Sequence, residues 1–187
     1  EAFRNVVDVY YGLGDFARHG LLLFTVRNGR HGDPAAGKPY AEKIMVAQPG
    51  QETPLHFHWK KMEDIINRGG GDLVMQLWKA DAHEGLSRKP LTVQVDGVTR
   101  TLRAGGKLRL KPGESITLEP FVYHRFWAEA GPCLIGEVSM VNDDANDNRF
   151  HDRVGRFPEI AEDEPAQRLL CNEYPAPATR RPRRRTA

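Results

Sequence analysis

Cysteine is scarce in this chain: Cys133 and Cys171 are the two among 187 residues. They are too few to staple a secreted domain of this size, so both are expected as reduced thiols in a cytoplasmic protein. Long apolar runs are missing as well. No stretch approaches the roughly 20 residues that cross a bilayer, and no signal-peptide pattern precedes the first strands, so no membrane association is expected. Net charge is small, at +2, and five arginines (Arg180, Arg181, Arg183, Arg184, Arg185) crowd the C-terminal end. Without them the remainder is near −3, so no nucleic-acid surface is expected. Residues 175–187 read as a flexible Arg/Pro-rich tail outside the domain. The first residue is Glu1 rather than Met, and further residues are expected upstream.

What the chain does have is 18 glycines and 13 prolines with short apolar runs between them. That pattern favours many strands and turns in one domain, residues 1–174, over long helices. Residues 1–20 read as an opening strand or loop. Expected strands follow at 20–29, closed by Asn28-Gly29, at 40–48, ended by Pro49-Gly50, and at 55–59. Gly69-Gly70-Gly71 reads as a separator before a buried strand at 72–78. Residues 91–95 and 98–102 flank Asp96-Gly97, the strongest hairpin signal in the sequence. Further strands fit 107–110, 115–118, 123–128 and 133–141, and a short helix fits within 160–170. Eight or more short strands in one domain suggest an antiparallel sandwich or jelly roll, whose inward-facing residues converge on a cavity.

The spacing Gly50-x5-His56-x-His58-x4-Glu63-x6-Gly70, with His124 some sixty residues later, carries the chemistry. Alternate residues of a strand share a face, so His56 and His58 can present two imidazoles side by side. Glu63 has the opposite parity, so the chain must bend or bulge near Lys60-Lys61-Met62. Within Gly113-x6-Pro120-x3-His124 the glycine and proline mark turns around a strand, and His124 begins the next one. Three imidazoles and a carboxylate suit a divalent transition metal, with manganese or iron in range, and so a metalloenzyme. His19, His31, His83 and His151 lie in polar or turn-like surroundings and are expected to face solvent. Arg68-Gly69-Gly70-Gly71 lacks the Lys-Ser/Thr and following helix of a phosphate cradle, so a turn is expected there.

The segments 50–70 and 113–124 resemble the two cupin motifs. The second departs from the usual Pro-x-Gly-x2-His: Pro120-Phe121-Val122-Tyr123-His124 is one residue shorter and lacks the glycine. A closer resemblance, to D-lyxose ketol-isomerases, rests on the run from His56 to Gly71 (HFHWKKMEDIINRGGG), on residues 20–29 and on residues 137–144. The runs 155–160 and 169–174 carry it further. It covers roughly residues 15–174. It implies an all-β fold, a cupin-type double-stranded β-helix or jelly-roll barrel with a few peripheral helices, preceded by an additional helical segment. It also implies one divalent ion, usually Mn2+ with Co2+, Fe2+ or Zn2+ as alternatives, on His56, His58, Glu63 and His124. Reversible conversion of D-lyxose and D-xylulose, with D-mannose and D-fructose as a second pair, and a homodimer are implied too.

Such a reaction needs a base for the proton next to the carbonyl and positive charge for the developing oxyanion. Glu137 is the candidate base, since it would share a face with Ile135 and Ser139 on an otherwise apolar strand, where an acid needs a reason. Lys61 is the candidate electrostatic partner, and Glu63 can itself shuttle a proton. Two other classes stay open at this point. A cupin oxygenase would use a similar ligand set with ferrous iron, and a non-catalytic cupin would bind sugar without turnover.

Overall fold

Apolar residues at every second position put one side of most strands into a common interior. The computed structural model describes residues 13–30, 37–143 and 146–154. Among them are one short helix, α1 (Phe16–His19), and ten strands. These are β1 (Leu22–Arg27), β2 (Tyr40–Ala47), β3 (His56–Phe57), β4 (Glu63–Lys79), β5 (Leu91–Val95), β6 (Val98–Leu102), β7 (Gly106–Leu110), β8 (Ser115–Leu118), β9 (Val122–Met140) and β10 (Arg149–Phe150). The expected helix within 160–170, Cys171, His31 and the arginine-rich tail lie outside the described residues.

Every strand ladder is antiparallel, and the main path runs β1-β2-β9-β4-β8-β5-β6. β4 and β9 are the spine. The first half of β4 pairs with β8 and its second half with β7, while β9 lies along nearly all of it. β9 in turn pairs with β2 through its second half and with β3 at its start, and β10 pairs with β3. Two long, bent strands thus run through one ten-stranded sheet, which curls as a jelly roll around one interior. Leu23, Met45, Ile65, Met75, Leu77, Leu110, Ile116, Phe126 and Ile135 fill it, all nearly inaccessible. Each contributes about 1.5–3 kcal/mol of hydrophobic stabilisation relative to exposure.

Three expectations are corrected by these strands. Gly69-Gly70-Gly71 does not separate elements; it lies inside β4. Residues 123–128 and 133–141 are likewise one strand, β9, not two. The reason is that both chains bend together. The β4–β9 register shifts between Asn67 and Gly69 and again between Gly70 and Asp72. Gly70 has φ +90°, and a side chain there would overlap the Pro132 carbonyl, as one on Gly71 would overlap Glu129 and Gly131. Glycine here permits a corner with backbone in close contact rather than ending the strand. Finally, the opening segment is helical at Phe16–His19, capped by the Asp15 side chain on the Arg18 amide, and α1 is the one helix among the described residues. The hairpin at Asp96-Gly97 forms as read, with both residues at positive φ, as a type I′ turn requires.

Candidate active site

His56 and His124 face each other across the β3–β9 ladder, so two distant parts of the sequence meet by strand pairing alone. Phe57 points to the opposite face and is fully buried, with Tyr123, Phe121 and Trp59 around its ring at 4.8, 5.3 and 5.5 Å between centroids. That aromatic cluster anchors the pair of histidines from behind. After Phe57 the chain leaves the sheet and turns at Trp59-Lys60, beside the expected bend, before β4 starts at Glu63. The turn resolves the parity conflict. It is held by Asp147: its Oδ1 accepts from the amides of Trp59 (2.9 Å) and Lys60 (3.0 Å), and its Oδ2 from that of Lys61 (2.9 Å).

The three imidazoles are oriented in one way. Each Nδ1 donates to a backbone carbonyl: His56 to Pro54 at 2.8 Å, His58 to Asp147 at 2.6 Å, His124 to Val122 at 3.0 Å. A carbonyl can only accept, so the proton sits on Nδ1, and in the neutral ring the Nε2 lone pair is left as the donor. Burial, with the other two histidines adding to it, holds His56 well below the usual imidazole range, and burial also lowers His58. Neutral rings are what a metal needs.

The ligand atoms of His56, His58 and His124 lie within 4.8 Å of one another. Glu63 joins from the start of β4, its Oε1 3.4 Å from His58 Nε2 and 3.1 Å from His124 Nε2. Adjacent ligands about 2.1 Å from one ion are separated by roughly 3.0–3.4 Å in octahedral or tetrahedral geometry, so the two Glu63–histidine distances fit neighbouring positions on a shared cation. Burial alone would raise the Glu63 carboxyl. The charge of Lys61 outweighs it and holds the group well below the usual carboxylate range. An ionised carboxylate facing imidazole lone pairs in a buried site calls for a cation between them. The residues present therefore fit a divalent metal.

Beside this set runs a chain of alternating charge. Lys61 Nζ lies 2.7 Å from Glu63 Oε2 and 3.0 Å from Glu137 Oε1, and Lys43 Nζ lies 3.0 Å from the same Glu137 oxygen. All four side chains are almost inaccessible. Glu137 does share its inward face with Ile135 and Ser139, yet it is neither at the rim nor paired with arginine. Burial pushes its carboxyl up, but Lys43 and Lys61 prevail and keep it below the usual range. Lys61 is likewise no surface lysine. The three histidines, Glu63, Lys61 and Glu137 all line one pocket of about 380 Å³ counting space open to solvent, with Leu21, Leu23, Ile65 and Phe126 as its apolar wall. Of the remaining histidines, His83 and His151 are exposed and His19 partly so.

Three residues escaped the sequence reading. Lys43 carried a signal: in β2 it occupies the inward register of Ala41, Met45 and Ala47, while Ile44 faces out. Asp147 and Asn142 carried little, being part of a polar run. Phe121, where the motif's usual glycine is missing, takes φ +63° with its amide on the His58 carbonyl at 2.9 Å, so the shortened loop still reaches the site.

A profile of the D-lyxose isomerase family matches residues 5–174. The chain belongs to the D-lyxose isomerase family. Family members include the D-lyxose/D-mannose isomerase of Serratia proteamaculans, 56% identical over 166 residues, covering 88% of this chain and 73% of that protein. The corresponding protein of Escherichia coli O157:H7 is 55% identical with the same coverage. The fold matches the L-ribose isomerase of Acinetobacter sp. DL28 with a TM-score of 0.54, at 14% identity over 73% of each chain. The L-ribose isomerase of Cellulomonas parahominis gives 0.51 at 18% identity over 71% of this chain and 70% of that one. These likenesses show the cupin-like barrel of a sugar isomerase family, with one short helix among the described residues where a few were expected. No helix among the described residues is long and apolar enough to cross a membrane.

Proposed function

We propose that this protein interconverts D-lyxose and D-xylulose, with D-mannose and D-fructose as a second pair, through proton transfer on the open-chain sugar. The observation that carries the reading is the buried sequence Glu63–Lys61–Glu137, which sets a carboxylate and an ammonium beside the three histidines in one pocket. His56, His58, His124 and Glu63 would hold one divalent ion, manganese by preference, with cobalt, ferrous iron or zinc as alternatives. When bound, the ion supplies Lewis-acid polarisation of the sugar's carbonyl and neighbouring hydroxyl.

Glu137 then takes the proton from C2 of the aldose and returns it to C1, while the hydroxyl proton on O2 moves to O1; C2 becomes the carbonyl carbon of the ketose. Lys61 stabilises the negative charge that develops on the sugar oxygens, in a site where burial strengthens its field. Glu63, held by Lys61 beside the histidines, can relay the hydroxyl proton. The apolar wall of Leu21, Leu23, Ile65 and Phe126 limits the water that competes for the reacting oxygens. The outer face of β2 and β9 exposes Ile44, Leu134, Val138 and Met140, which supports a homodimer. Work in the cytoplasm agrees with two cysteines and no disulfide framework.

Chelated protein given D-lyxose is expected to form no ketose, and manganese is expected to restore it. Oxygen uptake without ketose under any metal would instead make this an oxygenase, and sugar binding without turnover a binding module. Asp147 supports the same site from outside it. Asp147→Ala frees three amides of the ligand-bearing turn and is expected to weaken manganese binding about 10–100-fold, read by competition with a chelator. Unchanged affinity would mean that the turn holds without it.

A further inference from the structure

Lys43 is a buried cation that the isomerisation steps above do not use. It is 2% exposed and sits on β2 directly opposite Glu137 in the β2–β9 ladder. Its ammonium has two partners, Glu137 Oε1 at 3.0 Å and Asn142 Oδ1 at 2.9 Å. Asn142 is itself fixed from the end of β1: its amide donates to Asn28 Oδ1 at 3.0 Å, and Asn28 Nδ2 donates to its carbonyl at 3.3 Å. Lys43 is thus clamped on one side and holds Glu137 on the other.

The arrangement around Glu137 explains why two lysines are present. Lys61 reaches the same oxygen at 3.0 Å, but it also binds Glu63 at 2.7 Å and is divided between two carboxylates. If Lys61 swings toward a sugar oxygen, it loosens its hold on Glu137. Lys43 has no such second duty in the pocket. A carboxylate left in an apolar barrel without a cation would neutralise or move, and either would remove it as an aligned base. Both lysines also share Oε1, and among the described residues none donates to Oε2, so the second oxygen is the one free to meet a substrate proton.

We infer that Lys43 is a positioning residue for the isomerisation, holding Glu137 in place through Oε1 while Lys61 serves the substrate. The inference rests on Glu137 being the base. The test compares kcat, KM for D-lyxose and bound manganese in K43M, K43R, E137Q and the double variant K43M/E137Q. K43M is expected to lower kcat about 10–100-fold, less than the about 10²–10⁴-fold that a positioned acid–base group is worth because Glu137 is displaced and not removed, with KM within about threefold and manganese content unchanged. K43R, which keeps charge and donors, is expected to recover most of that loss. Added to E137Q, the K43M change is expected to cost less than about threefold more, because its effect runs through a carboxylate already removed.

Wild-type kcat in K43M with only a lower melting temperature would overturn the inference and leave Lys43 as part of the fold. Multiplying losses in the double variant would overturn it too, since Lys43 would then act apart from Glu137. E137Q at wild-type kcat would instead remove the base assignment itself, whatever K43M does. Should K43M not fold by circular dichroism, K43Q, which retains a donor toward Oε1, is scored by the same cycle.

Discussion

Replacing His124 by alanine is expected to give a folded protein that keeps no divalent ion and forms no ketose. The imidazole is one of three whose ligand atoms lie within 4.8 Å of one another, and its Nε2 is 3.1 Å from Glu63 Oε1. Its removal takes away one of the three nitrogen donors. Residues that only support a ligand typically change metal affinity 10–100-fold, so loss of a ligand is expected to exceed about 100-fold. The fold is expected to survive because His124 is held in β9 by backbone pairing with β3 and β4, which alanine keeps. The measurement is metal per chain after gel filtration, beside ketose formation and circular dichroism. A variant that retains both metal and activity would show that the ion sits elsewhere.

How much of this could be read from the residues depended on how local the contacts are. His56, His58 and Glu63 fall within eight positions, and His124 follows a turn signal, so the set was visible before any fold was known. Glu137 was visible for a different reason: an acid in the inward register of an apolar strand stands out. Lys43 obeys the same logic in β2, yet lysine amid alternating residues reads naturally as the outward position. Only the pairing of β2 with β9 shows that Ile44 faces out and Lys43 in. Asp147 was hidden because its work is done across the chain, on the amides of Trp59, Lys60 and Lys61. The glycine run failed as a separator for a related reason. Whether glycine ends a strand or bends it depends on the partner, and here the partner is the Glu129–Pro132 corner of β9.

Exchange of Glu137 for glutamine separates binding from chemistry more sharply than any other change in the pocket. Glutamine keeps the shape, and its amide oxygen can still accept from Lys43 and Lys61, which reach the carboxylate at 3.0 Å each. What it loses is the negative charge and the capacity to take a proton. A positioned acid–base group is worth about 10²–10⁴-fold in rate, so kcat for D-lyxose is expected to fall by about that factor. Manganese content is expected to stay at the wild-type level, because the carboxylate belongs to the lysine side of the charge chain and Glu63 retains Lys61. Two lysines facing a neutral amide leave excess buried positive charge, so some loss of melting temperature is expected as well. Turnover in deuterated water gives the complementary reading. With Glu137 as a base open to solvent exchange, deuterium is expected at C1 of the ketose product, and the residual turnover of the glutamine variant is expected to carry less of it. Product free of label from the wild-type protein would point to direct hydride transfer between C1 and C2, and would leave Glu137 with an electrostatic part in the reaction rather than a proton to carry.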